Sequence, residues 1–265
     1  MNAKKVNVFD FPTRLFHWLF VLLFIAAFSI AKILDDESPQ YPYHMLLGMV
    51  MSLAVVLRII WGFAGSKYAK FSSFELSPSK LVSYSKGVFS PKALRTLTHH
   101  AASSWSALIM FALALGLGLT GYLMVASINK EFFKEVHELL ANAFVIVAIA
   151  HVCGIILHTV KHKDAIGLSM IHGQKFPVDG QSGIEANHPV VALVFVALVS
   201  SFAFHLYQNY DTNTQVLKLF GSTLQLGESE KEKGGEHGKH PKKNEQNEHD
   251  EHNEQKEHHD EHHDD

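Results

Sequence analysis

One cysteine, Cys153, stands in a chain of 265 residues. A disulfide framework and every motif built on paired cysteines are thereby excluded. Charge is nearly as scarce over most of the chain, because it is gathered at one end. The tail from Glu228 onward holds 14 Asp/Glu, 6 Lys/Arg and 8 His. It nets −8 and leaves +5 on the rest of the chain, so the overall −3 averages two incompatible compositions. It gives no ground for expecting nucleic acid as a partner. Without the tail the body is strongly apolar, which excludes both an ordinary soluble globule and a wholly disordered chain. No internal repeat is present.

The uncharged runs are Leu15 to Ala31, Met45 to Leu57 resuming beyond Arg58, Ala101 to Asn129, Leu139 to Val160, and Pro189 to Gln208. Each approaches or exceeds the roughly 20 residues that carry a helix across a hydrocarbon core. Five membrane spans are expected, and none contains Asp or Glu. Orientation follows from the basic residues, since loops that stay in the cytoplasm retain Lys and Arg. The segments before span 1, between spans 2 and 3, and between spans 4 and 5 hold 13 of them, Arg58 included. The opposite loops hold three, Lys32, Lys130 and Lys134. The N-terminus is therefore expected in the cytoplasm and the acidic tail outside, in the periplasm if the membrane is a bacterial inner membrane. Trp18, Trp61 and Trp105 fall near the cytoplasmic ends, where interfacial anchors belong. Lys4-Lys5, the first run and Ser29-x-Ala31 also imitate a cleaved signal peptide, although the run is long for one and Asp10 and Pro12 interrupt its basic lead. The loop from Ser66 to Thr98, with Pro78 and Pro91, is expected to hold a short interfacial helix.

Ionisable residues inside spans are costly and carry function, which narrows the search to His17, His44, His137, His151 and His158. His137 and His151 both belong to span 4. Their interval brings them within about 40° of one helix face and sets them about 21 Å apart along it. His17, near the cytoplasmic end of span 1, and His44, opening span 2 from outside, supply one partner at each depth. Imidazole is a standard axial ligand of haem iron, and helical bundles house cofactors between facing helices. Without a C-x-x-C-H motif, any such haem is held by its ligands alone. The pattern predicts two non-covalent b-type haems, with His44 and His137 on the outer one and His17 and His151 on the inner one. Arg58 follows His44 by the same interval that separates His137 from His151, so it shares the His44 face at the inner depth. A buried guanidinium needs an anion there, and a haem propionate is one.

Other readings compete. A membrane histidine also serves as a hydrogen-bonder between helices, and Arg58 has the reach to snorkel to the cytoplasmic surface. By depth alone His158 matches His17 better than His151 does. Its distance from His137, about 31 Å against about 21 Å, would make tunnelling between irons far slower, which favours His151. His99 and His100 are read as solvated or propionate-contacting, and His162, His172, His188 and His205 as structural. Tail runs such as His249-Asp250-Glu251-His252 have the donors to bind zinc, nickel or copper loosely. Their composition is that of a solvated, disordered polyelectrolyte.

Several segments carry a resemblance. They are Asp10-x-Pro12-Thr13-Arg14-Leu15-x-His17-Trp18, then His44-x-x-x-Gly48, then Arg58-x-x-Trp61-Gly62-Phe63-x-Gly65-x-x-Tyr68-Ala69-x-Phe71. Thr120-Gly121, His137-Glu138-x-x-Ala141-Asn142, His151-Val152-x-Gly154 and Met170-x-x-Gly173-x-Lys175 follow in order. From about Val6 to Lys175 the chain resembles the bacterial di-haem membrane cytochromes of the cytochrome b561 family, which includes the b-type subunit of nickel-iron hydrogenases. Phe9 stands where that family often has Trp, and the fifth span and His-rich tail lie outside its four-helix core.

The resemblance implies an inner-membrane electron conduit between the quinone pool and a periplasmic redox partner, a c-type cytochrome or a hydrogenase-like complex, with His17, His44, His137 and His151 as haem ligands. The expected architecture is an all-α membrane protein. Residues 1–175 form a four-helix di-haem bundle, 176–227 a fifth span with its flanks, and 228–265 a disordered acidic tail. Quinol oxidation or quinone reduction would be its only chemistry, since no residue stands out as an acid, base or nucleophile. The competing class is a transport or metal-handling membrane protein whose histidines bind divalent ions. Transporters favour broken helices and intramembrane carboxylates, and the spans lack the latter.

Overall fold

The first long helix begins where a side chain takes over from the missing backbone partners. The Asp10 carboxylate accepts the Thr13 N–H at 3.0 Å, and Pro12 sits in the first turn, where a proline's absent N–H is harmless. The computed structural model describes residues 5–87, 101–162, 166–177 and 182–227. In chain order it runs through β1 (Val6–Asn7), α1 (Phe11–Ile33), α2 (Pro42–Ala64), a short turn of tighter helix at Phe71–Ser73, and α3 (Pro78–Gly87). It continues with α4 (Ala101–Val125), α5 (Lys130–His162), α6 (Ser169–His172), β2 (Gln174–Lys175), α7 (Pro189–Asn209), β3 (Tyr210–Asp211), β4 (Val216–Leu219) and β5 (Ser222–Gln225).

Five helices, α1, α2, α4, α5 and α7, are long and apolar enough to cross a membrane, one for each expected run. Proline opens α2 and α7, and Gly65 closes α2 by donating its N–H to the Trp61 carbonyl. The 33 residues of α5 extend about 50 Å, well beyond a hydrocarbon core of about 30 Å. Its first turns carry Lys130, Glu131, Lys134, Glu135 and Glu138, which ended the uncharged run at Leu139 without ending the helix. α3 is the short helix expected in the loop after span 2. His99, His100 and the tail lie outside the described residues, as does the side chain of His162.

Helix α2 is central, packing against α1, α4 and α7, whereas α5 lies along α4 and meets α1 and α2 only at isolated points. The interior is lined by Phe16, Val50, Ala54, Val55, Leu117, Phe144 and Phe195, while Leu22, Ile25, Ile146, Ile149, Val190 and Leu193 face outward. Apolar side chains on both faces suit a bundle whose solvent is lipid.

At the end holding the N-terminus, β1 pairs antiparallel with β2, Val6 opposite Lys175. The Gly173 carbonyl accepts from Val8 and Phe9 at 2.7 and 3.2 Å. Gly173 itself adopts φ 78°, a left-handed cap that closes α6 and that a side chain would strain. Arg14 and Trp18 donate to the Ile171 and Met170 carbonyls, at 2.6 and 3.0 Å. Trp61 donates to the second oxygen of Asp10 at 3.0 Å. Trp18 and Trp61, expected as interfacial anchors, thus also tie loops of the chain together, since an indole N–H takes whatever acceptor is nearest.

At the opposite end β3, β4 and β5 form an antiparallel meander whose Leu217 and Leu224 are buried. Tyr210 meets Tyr43 of α2 edge-on at 6.1 Å. In the turn after β3 the Asp211 carboxylate accepts the Asn213 N–H, which holds its pKa below the usual carboxylate range.

Candidate functional site

Two of the expected histidines meet at the meander end of the bundle. The ring centres of His44 and His137 are 6.1 Å apart and the planes cross at 79°. Each imidazole has its Nδ1 fixed. His44 Nδ1 lies 2.8 Å from the Ala27 carbonyl of α1, which only accepts, so this nitrogen carries the proton. His137 Nδ1 lies 2.8 Å from Thr120 Oγ1, and that hydroxyl is itself 2.8 Å from the Gly116 carbonyl and 3.2 Å from that of Leu117. The hydroxyl proton goes to a carbonyl, so His137 also donates from Nδ1. Both Nε2 atoms are left with a free lone pair, the tautomer a metal requires. Tyr41, 5.7 Å from His44, has its phenol pKa pushed up by burial and by Asp36.

The second pair lies deeper along α5, with its partner on α1 rather than α2. His17 and His151 are both half-buried and close enough to interact electrostatically. His158, the competing partner by depth, is also half-buried and sits two turns further along α5. Arg58 is 5% exposed and turned inward rather than to the surface. Its Nη2 donates to the Ala69 carbonyl at 3.1 Å, and its charge lies 5.8 and 5.7 Å from the Phe71 and Phe111 rings. Its Nη1 is buried with no hydrogen-bond partner.

The remaining histidines have local roles. His172 accepts the Gln174 N–H at 3.1 Å, His188 caps α7 and meets Trp61 edge-on, and His205 lies beside Asn209 and stacks on Phe220. Among the described residues no three His, Cys, Asp or Glu side chains gather as a metal-ion site would.

Haem fits this arrangement on four counts. Two imidazoles on one metal, at about 2 Å per metal–nitrogen bond, have ring centres about 6 Å apart, close to the spacing of His44 and His137. Their proton placement leaves the needed lone pairs. Gly48, one turn beyond His44, is half-buried with nothing within 4 Å of where a Cβ would stand, so a flat group has room against α2 there, whereas the open side of Gly154 is the bundle's surface. The Nη1 of Arg58 has no hydrogen-bond partner, so it can take an acceptor beyond the buried Asp10 carboxylate whose charge it already feels.

Membrane-length helices with paired interior imidazoles and no covalent attachment motif are the features of a membrane b-type cytochrome. The chain belongs to the prokaryotic cytochrome b561 family, whose model matches residues 8–173. That is a family of b-type cytochromes, and the five long apolar helices suit a multi-pass membrane protein. Two relatives are each named "Probable Ni/Fe-hydrogenase 1 B-type cytochrome subunit", one from Escherichia coli (strain K12) and one from Escherichia coli O157:H7. Each is 32% identical over 83 residues, covering 26% of this chain and 35% of the relative, so the match spans about a third of their length. No solved structure matches.

Sequence spacing marked the four histidines and Arg58 but not their supports. The Ala27 carbonyl carries no side-chain signal. Thr120 belonged to a recognisable Thr-Gly pair without showing that its hydroxyl would face a histidine 17 residues away on the next long helix.

Proposed function

We propose that this protein carries electrons across the bacterial inner membrane through two b-type haems, exchanging them with the quinone pool on one hand and a periplasmic redox partner on the other. The observation that carries the proposal is the facing pair His44 and His137, 6.1 Å apart with both Nδ1 protons engaged. In this reading His44 and His137 hold the outer haem, and His17 and His151 the inner one. The Ala27 carbonyl and the Thr120 hydroxyl orient the outer ligands, and Arg58 neutralises a propionate of the inner haem. Bound haem supplies a one-electron iron couple. The bundle contributes fixed spacing and exclusion of water, which keeps electrons from leaking to side reactions.

The N-terminus lies in the cytoplasm and the acidic tail in the periplasm, as the basic residues direct. Residues 1–175 carry the haems, 176–227 add a fifth span and its cap, and 228–265 extend outside. The partner is a c-type cytochrome or a hydrogenase-like complex, the latter suggested by the relatives' name. The test is the visible spectrum of the purified protein before and after dithionite, with haem assayed per chain. Sharp reduced α-bands and about two haems per chain are expected, bis-histidine iron being low-spin. One haem per chain would refute the two-site reading, and colourless protein from haem-replete cells would refute the conduit. Oxidation of a quinol analogue, read as haem reduction, tests the quinone link.

A further inference from the structure

The helices that carry the histidines repeat their pattern at half the interval. Seven residues bring a helix back to within about 20° of the same face and advance it about 10 Å. Seven residues from His17 stands Phe24, seven from His44 stands Met51, and seven from both His137 and His151 stands Phe144. All three fall at mid-depth on the histidine faces. Phe144 is 2% exposed, and its ring centre is 4.5 Å from that of Phe24 and 5.7 Å from that of Phe20. Met51 is buried as well. The aromatic contact spans α1 and α5, whose backbones otherwise stand apart. Between the two histidine levels the interior is filled by these rings.

Packing alone would explain a buried phenylalanine. It does not explain why the closest aromatic approach between these two helices falls midway between His137 and His151 on α5 and two turns from His17 on α1. Resting on the two-haem reading above, we propose that the Phe24–Phe144 pair is a partition between the haem sites, fixing their separation and forming the packed path that the electron crosses. Side chains in contact leave no void between the two sites and exclude water. The step served is a one-electron exchange: the reduced site loses one electron, the oxidised site gains it, and no bond or proton changes at the rings.

The test uses the full-length, haem-loaded protein in lipid nanodiscs, with Phe144→Ala, Phe24→Ala, Phe144→Leu and Phe144→Trp. Haem per chain, low-temperature electron paramagnetic resonance and the rate at which the two haems share an electron after flash reduction are read for each. The two alanine variants are expected to keep two low-spin haems and to share the electron severalfold more slowly, while Phe144→Trp stays near the wild-type rate. Phe144→Leu retains bulk without the ring and is expected to fall between them, and it carries the test if Phe144→Ala does not fold. Alanine variants with two low-spin haems and an unchanged rate would overturn the partition. So would loss of a haem from both Phe144→Ala and Phe144→Leu, which would make the residue a pocket wall. A wild-type protein with one haem would instead overturn the two-haem reading itself.

Discussion

Replacing Thr120 by Val isolates the support of one ligand. The side chain is 5% exposed and nearly isosteric with valine, so its shape survives and only the hydroxyl is lost. Its bonds to the Gly116 and Leu117 carbonyls are expendable, since those carbonyls belong to a helix that already uses them. The bond at 2.8 Å to His137 Nδ1 is not, because without it the imidazole N–H keeps only the Leu117 carbonyl, which already serves its own helix. An unsatisfied buried donor costs about 1–3 kcal/mol, and loss of a hydrogen bond behind a metal-bound histidine typically lowers affinity by about 10- to 100-fold. The outer haem should therefore pass to a haem-scavenging apoprotein faster by about that factor, while the inner haem, about 21 Å away, is unaffected. A less basic imidazole also stabilises ferric iron less, so the outer midpoint potential should rise. Thr120→Ser keeps the hydroxyl and should restore both properties. Unchanged haem retention and potentials in Thr120→Val, or a change confined to the inner haem, would refute the assigned support.

Single replacements of the histidines should sort into two pairs. His44→Ala and His137→Ala should share one low-temperature paramagnetic resonance spectrum, His17→Ala and His151→Ala another, each lacking one low-spin haem, while His158→Ala keeps two. If His158→Ala instead matches His17→Ala, the inner pairing is wrong. Arg58→Met removes the buried cation and leaves a propionate unneutralised, which stabilises ferric iron, so potentiometric titration should show the inner midpoint falling while the outer one holds. Arg58→Lys should fall less far, because it keeps the charge and loses the planar fork. For topology, a reporter active only in the cytoplasm should work when fused after Lys163 and fail after Gly227. Activity at the second position would invert the orientation or remove the fifth span.

The five spans were legible because an uncharged stretch of membrane length has few other uses. The widest difference, at the start of α5, arises because charge marks the end of the hydrocarbon and not of the helix. The faces of His137 and His151, and of His44 and Arg58, were legible for a similar reason, since helical periodicity is local and survives any packing. Contacts between helices, the meeting of His44 with His137 aside, were not. Asp10 accepts from Trp61, 51 residues away, and nothing in either segment names the other. The meander from Tyr210 to Gln225 was missed although Phe220-Gly221, both with positive φ, mark its tight turn. Strands of two to four residues are too short for alternation to stand out.

The pairing of β1 with β2 has a bearing on how the molecule is made. The groups that satisfy Val8, Phe9, Arg14 and Trp18 lie between Met170 and Gly173, far downstream in the chain. A ribosome adding about 5–20 residues per second leaves those partners unsynthesised for many seconds after the first helix has entered the membrane. During that interval the first helices stand without the latch that fastens the N-terminal end of α1 to the segment after α5. The latch can therefore close only after every helix up to α6 has been made.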